Sequence, residues 1–187
     1  TPGGTNLQLY GSNFGSDAEQ VKVMVGGRPC TNVRITVPHS KVEARTPEGT
    51  GIANDIELIV GGQAASLPVT ASVFAYIAPT VVSVLPEVGP TEGGVILSIA
   101  GADFGDDVTL VAVTVGNSPC GDVRLTAPHS RVECVMPVGA GQGMAVDVVV
   151  DAQSATLTQS VAYEPPTITS IEPVAVSELG GVVITVR

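Results

Sequence analysis

Three cysteines, two Pro-His-Ser triplets and a knot of aspartates are the residues of this chain that could do more than pack. Cys30, Cys120 and Cys134 could bridge, ligate metal or act as nucleophiles. Zinc is not supported, because zinc sites use Cys-x-x-Cys or Cys/His spacings and neither occurs. His39 and His129 each precede a serine, Ser40 and Ser130, and are followed by Lys41 or Arg131. Nucleophilic catalysis needs the histidine hydrogen-bonded to the serine, yet neighbours in an extended segment point to opposite faces. The triplet therefore reads as a turn, as its occurrence twice also suggests. Asp103, Asp106 and Asp107 crowd one segment, and Asp17 and Glu19 its counterpart, without the Asp-x-Asp-x-Asp-Gly spacing of a calcium loop. They read as solvated turns. No catalytic residue, metal or cofactor is expected.

The elements carrying these residues are short strands. The chain has 187 residues, 44% hydrophobic and 14% charged, with 22 Gly and 14 Pro. Val-rich runs such as Val21, Val23, Val25 and Ile56, Leu58, Val60 alternate with polar residues, the period of a half-buried strand. Gly and Pro between the runs supply turn dihedrals. Aromatic residues are scarce, with no Trp, so aliphatic side chains must build the cores. A net charge of −10 argues against nucleic acid as a partner, since a phosphate backbone would be repelled and nucleic-acid affinity rests on Lys and Arg. Leu58 to Pro86 carries no charge, but its Gly and Pro would leave backbone groups unsatisfied in lipid, so it is not expected to span a membrane. No signal-like segment opens the sequence, which reads as an excerpt of a longer protein.

A repeat organises the whole chain. Thr1-Pro-Gly-Gly aligns with Thr91-Glu-Gly-Gly, and Gly11-Ser-Asn-Phe-Gly15 with Gly101-Ala-Asp-Phe-Gly105. The segment from Val25 to Cys30 matches Val115 to Cys120, and Val33 to Ser40 matches Val123 to Ser130, all at an offset of 90. At that offset about 26 of the first 60 positions are identical, too many for chance. After Leu67 and Leu157 the offset falls to 87, because the first copy has three more residues before Phe74-Ala-Tyr76, the counterpart of Val161-Ala-Tyr163. That length change is expected in a turn. Pro79 to Pro86 recurs as Pro166 to Pro173, and Gly93-Gly94 as Gly180-Gly181, so a third copy begins. The expected units are 1–78, lacking a first strand, then 79–165, then the opening of a third over 166–187. About seven short strands per copy predict an all-β chain of tandem immunoglobulin-like sandwiches. Gly11, Gly15, Gly101 and Gly105 are expected to supply positive φ in a turn, with Phe14 and Phe104 plugging the core beside it.

Six motifs in fixed order, twice over, carry a family resemblance: Gly-Gly-Thr, Gly-Ser-Asn-Phe-Gly, Val-Gly-Gly-Arg-Pro-Cys, Pro-Glu-Gly-Thr-Gly, Phe-Ala-Tyr and Pro-Thr-Val-Val-Ser-Val-Leu-Pro. The chain resembles the IPT/TIG repeat along nearly its whole length. The resemblance implies an extracellular or cell-surface setting and an intradomain disulfide between Cys120 and Cys134. Closing that 13-residue segment would contribute roughly 3 kcal/mol on the chain-entropy scale. The first copy has Ala44 where Cys134 would stand, so Cys30 is either a buried free thiol or bonded to another chain.

Such modules serve several functions, so the role must come from sites. The leading expectation is non-enzymatic: stacked modules in a rod-like surface protein, fibre, filament or appendage, adhesive or structural, whose partners are neighbouring modules and other chains of the assembly. The alternatives are a ligand-binding receptor ectodomain and an accessory domain of a carbohydrate-active enzyme. The former predicts an exposed apolar patch in one copy that the other lacks, with Gly61 to Ala78 the favoured segment. The latter is weakened by the absence of Trp platforms.

Overall fold

The computed structural model describes residues 1–66, 73–174, 180–181 and 183–186. The first copy contributes β1 (Asn6–Tyr10), β2 (Val21–Val25), β3 (Arg28–Pro29), β4 (Thr31–Val37), β5 (Lys41–Arg45), β6 (Asn54–Val60), β7 (Gln63–Ala64) and β8 (Val73–Phe74). One sheet runs β1-β5-β4; the other runs β3-β2-β6-β7, with β8 also on β6. The second copy contributes β9 (Thr80–Leu85), β10 (Val88–Gly89), β11 (Ile96–Ala102), β12 (Val111–Val115), β13 (Ser118–Pro119), β14 (Gly121–Ala127), β15 (Arg131–Val135), β16 (Met144–Val150) and β17 (Gln153–Tyr163). Its sheets are β14-β15-β11-β9 and β10-β17-β16-β12-β13. Each copy is thus a two-sheet, immunoglobulin-like β-sandwich, as the strand pattern predicts.

Register repeats with the sequence. Val23 stands opposite Leu58 between β2 and β6, and Val113 opposite Val148 between β12 and β16. Because side chains alternate across a strand, Val21, Val23 and Val25 all turn inward while Lys22 faces water. In the second sandwich Leu97, Ile99, Val132 and Cys134 of one sheet meet Val113, Val115, Val146 and Val148 of the other, around a fully buried Phe104. Burying each such aliphatic side chain contributes about 1.5–3 kcal/mol. The first sandwich has two smaller clusters, one around Phe14, Val42 and Leu58, the other around Val25, Ile56 and Tyr76.

Pro79 to Pro86 is no linker: β9 pairs antiparallel with β11 inside the second sandwich. Ile77, Ala78 and Pro79 alone separate the Tyr76 anchor from that strand. Beyond the second sandwich, β18 (Ile171–Glu172) pairs antiparallel with β19 (Thr185–Val186). The length change expected between Leu67 and Phe74 falls on residues outside those described.

Two sequence motifs prove to be one structural unit. The Phe14 N–H donates to the His39 carbonyl at 3.2 Å, and the His39 N–H returns to the Gly15 carbonyl at 2.7 Å. Phe104, His129 and Gly105 repeat this at 3.2 and 2.8 Å. His39 and His129 themselves take positive φ, 65° and 63°. Of the four glycines expected there, Gly15 and Gly105 have it, whereas Gly11 and Gly101 do not. The physical reason for the latter pair is space: a Cβ on Gly11 would come within 2.5 Å of the Phe14 ring, and one on Gly101 would strike Phe104 and the Thr80 carbonyl.

Candidate functional site

The polar groups that the strands bring together lie where the two sandwiches meet. Module 1 presents Arg28 from β3, the Pro47–Gly51 loop and Tyr76. Module 2 presents the Asp103–Asp106 turn, His129, and the β16–β17 turn with Asp151 and Gln153.

Tyr76 builds the first side. Its hydroxyl donates to the Pro47 carbonyl at 3.1 Å and its N–H to the Gly51 carbonyl at 2.9 Å. Gly49 lies under the ring, where a Cβ would sit 2.5 Å from it. The second copy repeats the arrangement, with Tyr163 donating to Pro137 at 2.9 Å and to Gly141 at 2.8 Å. A tyrosine that is apolar in body and polar at its tip suits this task, since one residue fills the core and ties down a loop.

Gln153 crosses to that frame. Its Oε1 accepts the Gly51 N–H at 3.1 Å, and its Nε2 donates to the Tyr76 carbonyl at 3.1 Å. A primary amide carries an acceptor and a donor side by side, so it pairs with a backbone N–H and C=O as another strand would. Beside it, the Thr50 hydroxyl donates to Asp151 Oδ2 at 3.2 Å. Close approach is needed here. A Cβ on Gly51 would overlap the Asp151 carboxylate, and one on Gly105 would lie 2.7 Å from the Thr50 methyl.

Charges complete the joint. Arg28 Nη1 lies 3.3 Å from Asp106 Oδ2 and donates at 3.3 Å to the Glu48 carbonyl. His129 Nε2 lies 3.2 Å from Glu48 Oε2. Thr1 also lies against this turn, its backbone nitrogen 3.6 Å from Asp103 Oδ1. A small cleft remains, lined by Arg28, Glu48, Thr50, Tyr76, Asp106 and Asp151 among others.

The aspartate knot therefore divides by task. Asp103 and Asp106 face the joint, while Asp107 caps a short 3₁₀ turn by accepting from the Thr109 N–H at 2.9 Å and from its hydroxyl. Those two bonds hold the Asp107 carboxyl below its ordinary range. Asp17 caps the corresponding turn through the Glu19 N–H at 3.0 Å. Among the described residues no group of three or more His, Cys, Asp or Glu is placed to hold a metal.

Cys120 and Cys134 stand side by side as thiols, one within hydrogen-bonding reach of the other. The contact lowers the Cys120 pKa and, with burial, raises that of Cys134. Cys30 is half-buried against both clusters of the first core, and burial pushes its thiol up. Nothing in the sequence reading singled out Gln153 or Arg28. Gln63 and Gln153 are identical at the repeat offset, which was the available signal.

The profile of the IPT/TIG domain matches residues 1–76 and again residues 79–164. The chain is 27% identical over 190 residues to Plexin-2 of Caenorhabditis briggsae, covering 99% of this chain and 10% of that protein. Human Fibrocystin-L is 26% identical over 188 residues, covering 100% of this chain and 4% of its own length. The chain thus spans about a tenth or less of these relatives. Among solved structures, the surface glycan-binding protein PbSGBP-B from Prevotella bryantii shares the fold, with a TM-score of 0.55 at 14% identity over 83% of this chain and 36% of that one. The full extracellular region of Plexin A4 aligns over 92% of this chain and 15% of its own length, at 24% identity and a TM-score of 0.45. With two profile matches in succession over most of its length, the chain belongs to the IPT/TIG domain family.

Proposed function

We propose that the two sandwiches are consecutive spacers of an extracellular or cell-surface protein, held at a set angle so that the array acts as a stiff rod. Boundaries at 78/79 and 165/166 follow from this reading. The single observation carrying it is the Gln153 amide, paired with the Gly51 N–H and the Tyr76 carbonyl across a connection three residues long. Free hinging would break both hydrogen bonds, a net cost of about 0.5–1.5 kcal/mol each. A short connector containing Pro79 limits the freedom further. Residual dipolar couplings from both sandwiches should fit one common alignment tensor. Two independent tensors, or a broad size distribution in small-angle scattering, would overturn the rod.

One observation favours a second reading, a receptor ectodomain with a protein-binding face. Leu85 and Ile96 are exposed on the outer face of the second sandwich's β9–β11 pair, and Ile96 stands opposite Val135. The matching pair of the first sandwich is Asn6 opposite Arg45. Exposed apolar side chains on β9 and β11 support this reading, while the favoured Gly61 to Ala78 segment lies partly outside the described residues. Replacing Leu85 and Ile96 by Ser should abolish capture of a protein partner without altering thermal stability. Undiminished capture would remove the face from consideration.

A further inference from the structure

Half of the joint belongs to the repeat and half to this pair of modules. Gln63 matches Gln153, Gly141 matches Gly51 and Tyr163 matches Tyr76, so each copy carries both parts of the amide clasp. The charged contacts do not repeat. Arg28, Glu48 and Thr50 are replaced by Ser118, Val138 and Ala140; Asp106 and Asp151 are Ser16 and Gly61 in the first copy.

The β16–β17 turn shows that Asp151 is kept at a cost. Asp151 and Ala152 sit at φ 46° and 65°, where the first copy has Gly61 and Gly62 at 56° and 83°. Both central positions of such a two-residue hairpin need positive φ, which glycine adopts freely and alanine does not. Within the turn, glycine at 151 would be the easier choice. What Asp151 adds is its carboxylate, which accepts from Thr50 across the joint.

We propose that the lower face of the first sandwich, the one turned toward the second, is an addressed surface: Gly51 and Tyr76 receive a glutamine that both copies can supply, while Arg28 and Thr50 select an opposing, upper face bearing carboxylates at positions 106 and 151. This rests on the rod reading and names the partner chemistry of its joint. The first module's own upper face, with Ser16 and Gly61, leaves Arg28 with Glu48 of its own module alone, at 4.0 Å, and gives Thr50 no carboxylate. The lower end of the second sandwich has a different chemistry: among the described residues the groove there is lined by Ala140, Gly141, Gln142, Tyr163, Glu164 and Pro165, with an acid and no cation to read acidic loops. Successive joints then differ, and charge sets which faces match, because like or unpaired charges at a contact penalise the wrong partner.

The test grafts the first copy's residues onto the second within the intact chain. Asp106→Ser with Asp151→Gly retains Gln153 and relaxes the turn. It should accelerate hydrogen exchange at the Gly51 amide by about tenfold, the scale of two or three ion-pair and hydrogen-bond contacts acting together. In 1 M salt, where screening acts within about 3 Å, the wild-type chain should move in the same direction. Arg28→Asp and Asp106→Arg should each loosen the joint, and the two together should restore slow exchange. Unchanged exchange in the graft, or no restoration in the double swap, overturns the address. Failure of the rod reading looks different, since the wild-type sandwiches would then already tumble independently; a rigid wild type with an equally rigid graft defeats the address alone.

Discussion

Gln153 accepts the Gly51 N–H at 3.1 Å, extending across the joint a backbone frame that Tyr76 begins within the first sandwich. The same side chain donates to Tyr76, so one residue holds both edges of that frame. Gln153→Ala removes the two bonds and leaves the Gly51 and Tyr76 groups to find water. The expected loss is about 1–3 kcal/mol of joint stability, read as faster Gly51 exchange and divergent alignment of the two sandwiches. Gln153→Glu keeps an acceptor for Gly51 but turns a donor into a carboxylate facing the Tyr76 carbonyl, and should be no better than Ala. A common alignment tensor preserved in both variants would show that the clasp holds nothing.

Ala152 bears strain without a compensating contact in the joint. It occupies φ 65°, where a Cβ costs roughly 1–2 kcal/mol. Ala152→Gly should therefore raise the stability of the second sandwich by about 1 kcal/mol, after allowing for the greater freedom glycine gains when unfolded. Because Asp151 stays, the joint should be unaffected. Thermal melts measure the first effect and Gly51 exchange the second.

The sandwiches were legible in the sequence because their determinants repeat: Val21, Val23 and Val25 recur as Val111, Val113 and Val115 with the same register against β6 and β16. The joint was not. Comparison at the repeat offset rewards identity, whereas Arg28, Glu48, Asp106 and Asp151 matter where the copies differ. Gln153 was visible as an identity, but its function depends on a neighbour about 100 positions away, which strand periodicity does not report. The Gly-Phe-Gly and Pro-His-Ser motifs were likewise read apart, although hydrogen bonds between β1–β2 and β4–β5 turn residues make them a single unit. Gly11 and Gly101 show the limit of residue type as a guide. Glycine signals left-handed backbone and tight space equally, and only the Phe14 and Phe104 rings decide between them.

Glu43 gives the first sandwich a pH dependence of known sign. Hydrogen bonds from Lys41, at 2.7 Å, and from Arg34, at 2.8 Å, lower its pKa from an ordinary 4.5 to about 2. A carboxyl whose folded pKa is depressed stabilises the fold above its unfolded pKa and loses that contribution as pH falls through the folded value. Wild type should therefore be more stable than Glu43→Gln near pH 7, and the two should converge between about pH 4.5 and 2. Urea titrations at intervals across that window check it, and a constant difference down to pH 2 would place the effect elsewhere.

Cys30 and Cys120 occupy the same backbone position, their N–H groups donating to Val23 at 2.8 Å and Val113 at 2.9 Å. The Cys120 thiol meets Cys134, while Ala44 holds the corresponding place in the first sandwich and is equally buried. Oxidation of the wild-type chain should thus bridge Cys120 to Cys134 and leave one titratable thiol, Cys30. Cys134→Ala should lower the stability of the oxidised second sandwich by about 3 kcal/mol and leave the reduced one much less affected. Ala44→Cys is the complementary gain. If the first sandwich has retained the geometry and lost merely the sulfur, the variant should close a second bridge with Cys30, with no free thiol remaining and a higher melting temperature. Two thiols persisting in oxidised Ala44→Cys would show that the first core has repacked around Cys30. A disulfide-linked dimer of wild type would instead place Cys30 in a bond between chains, against its half-buried position on the core.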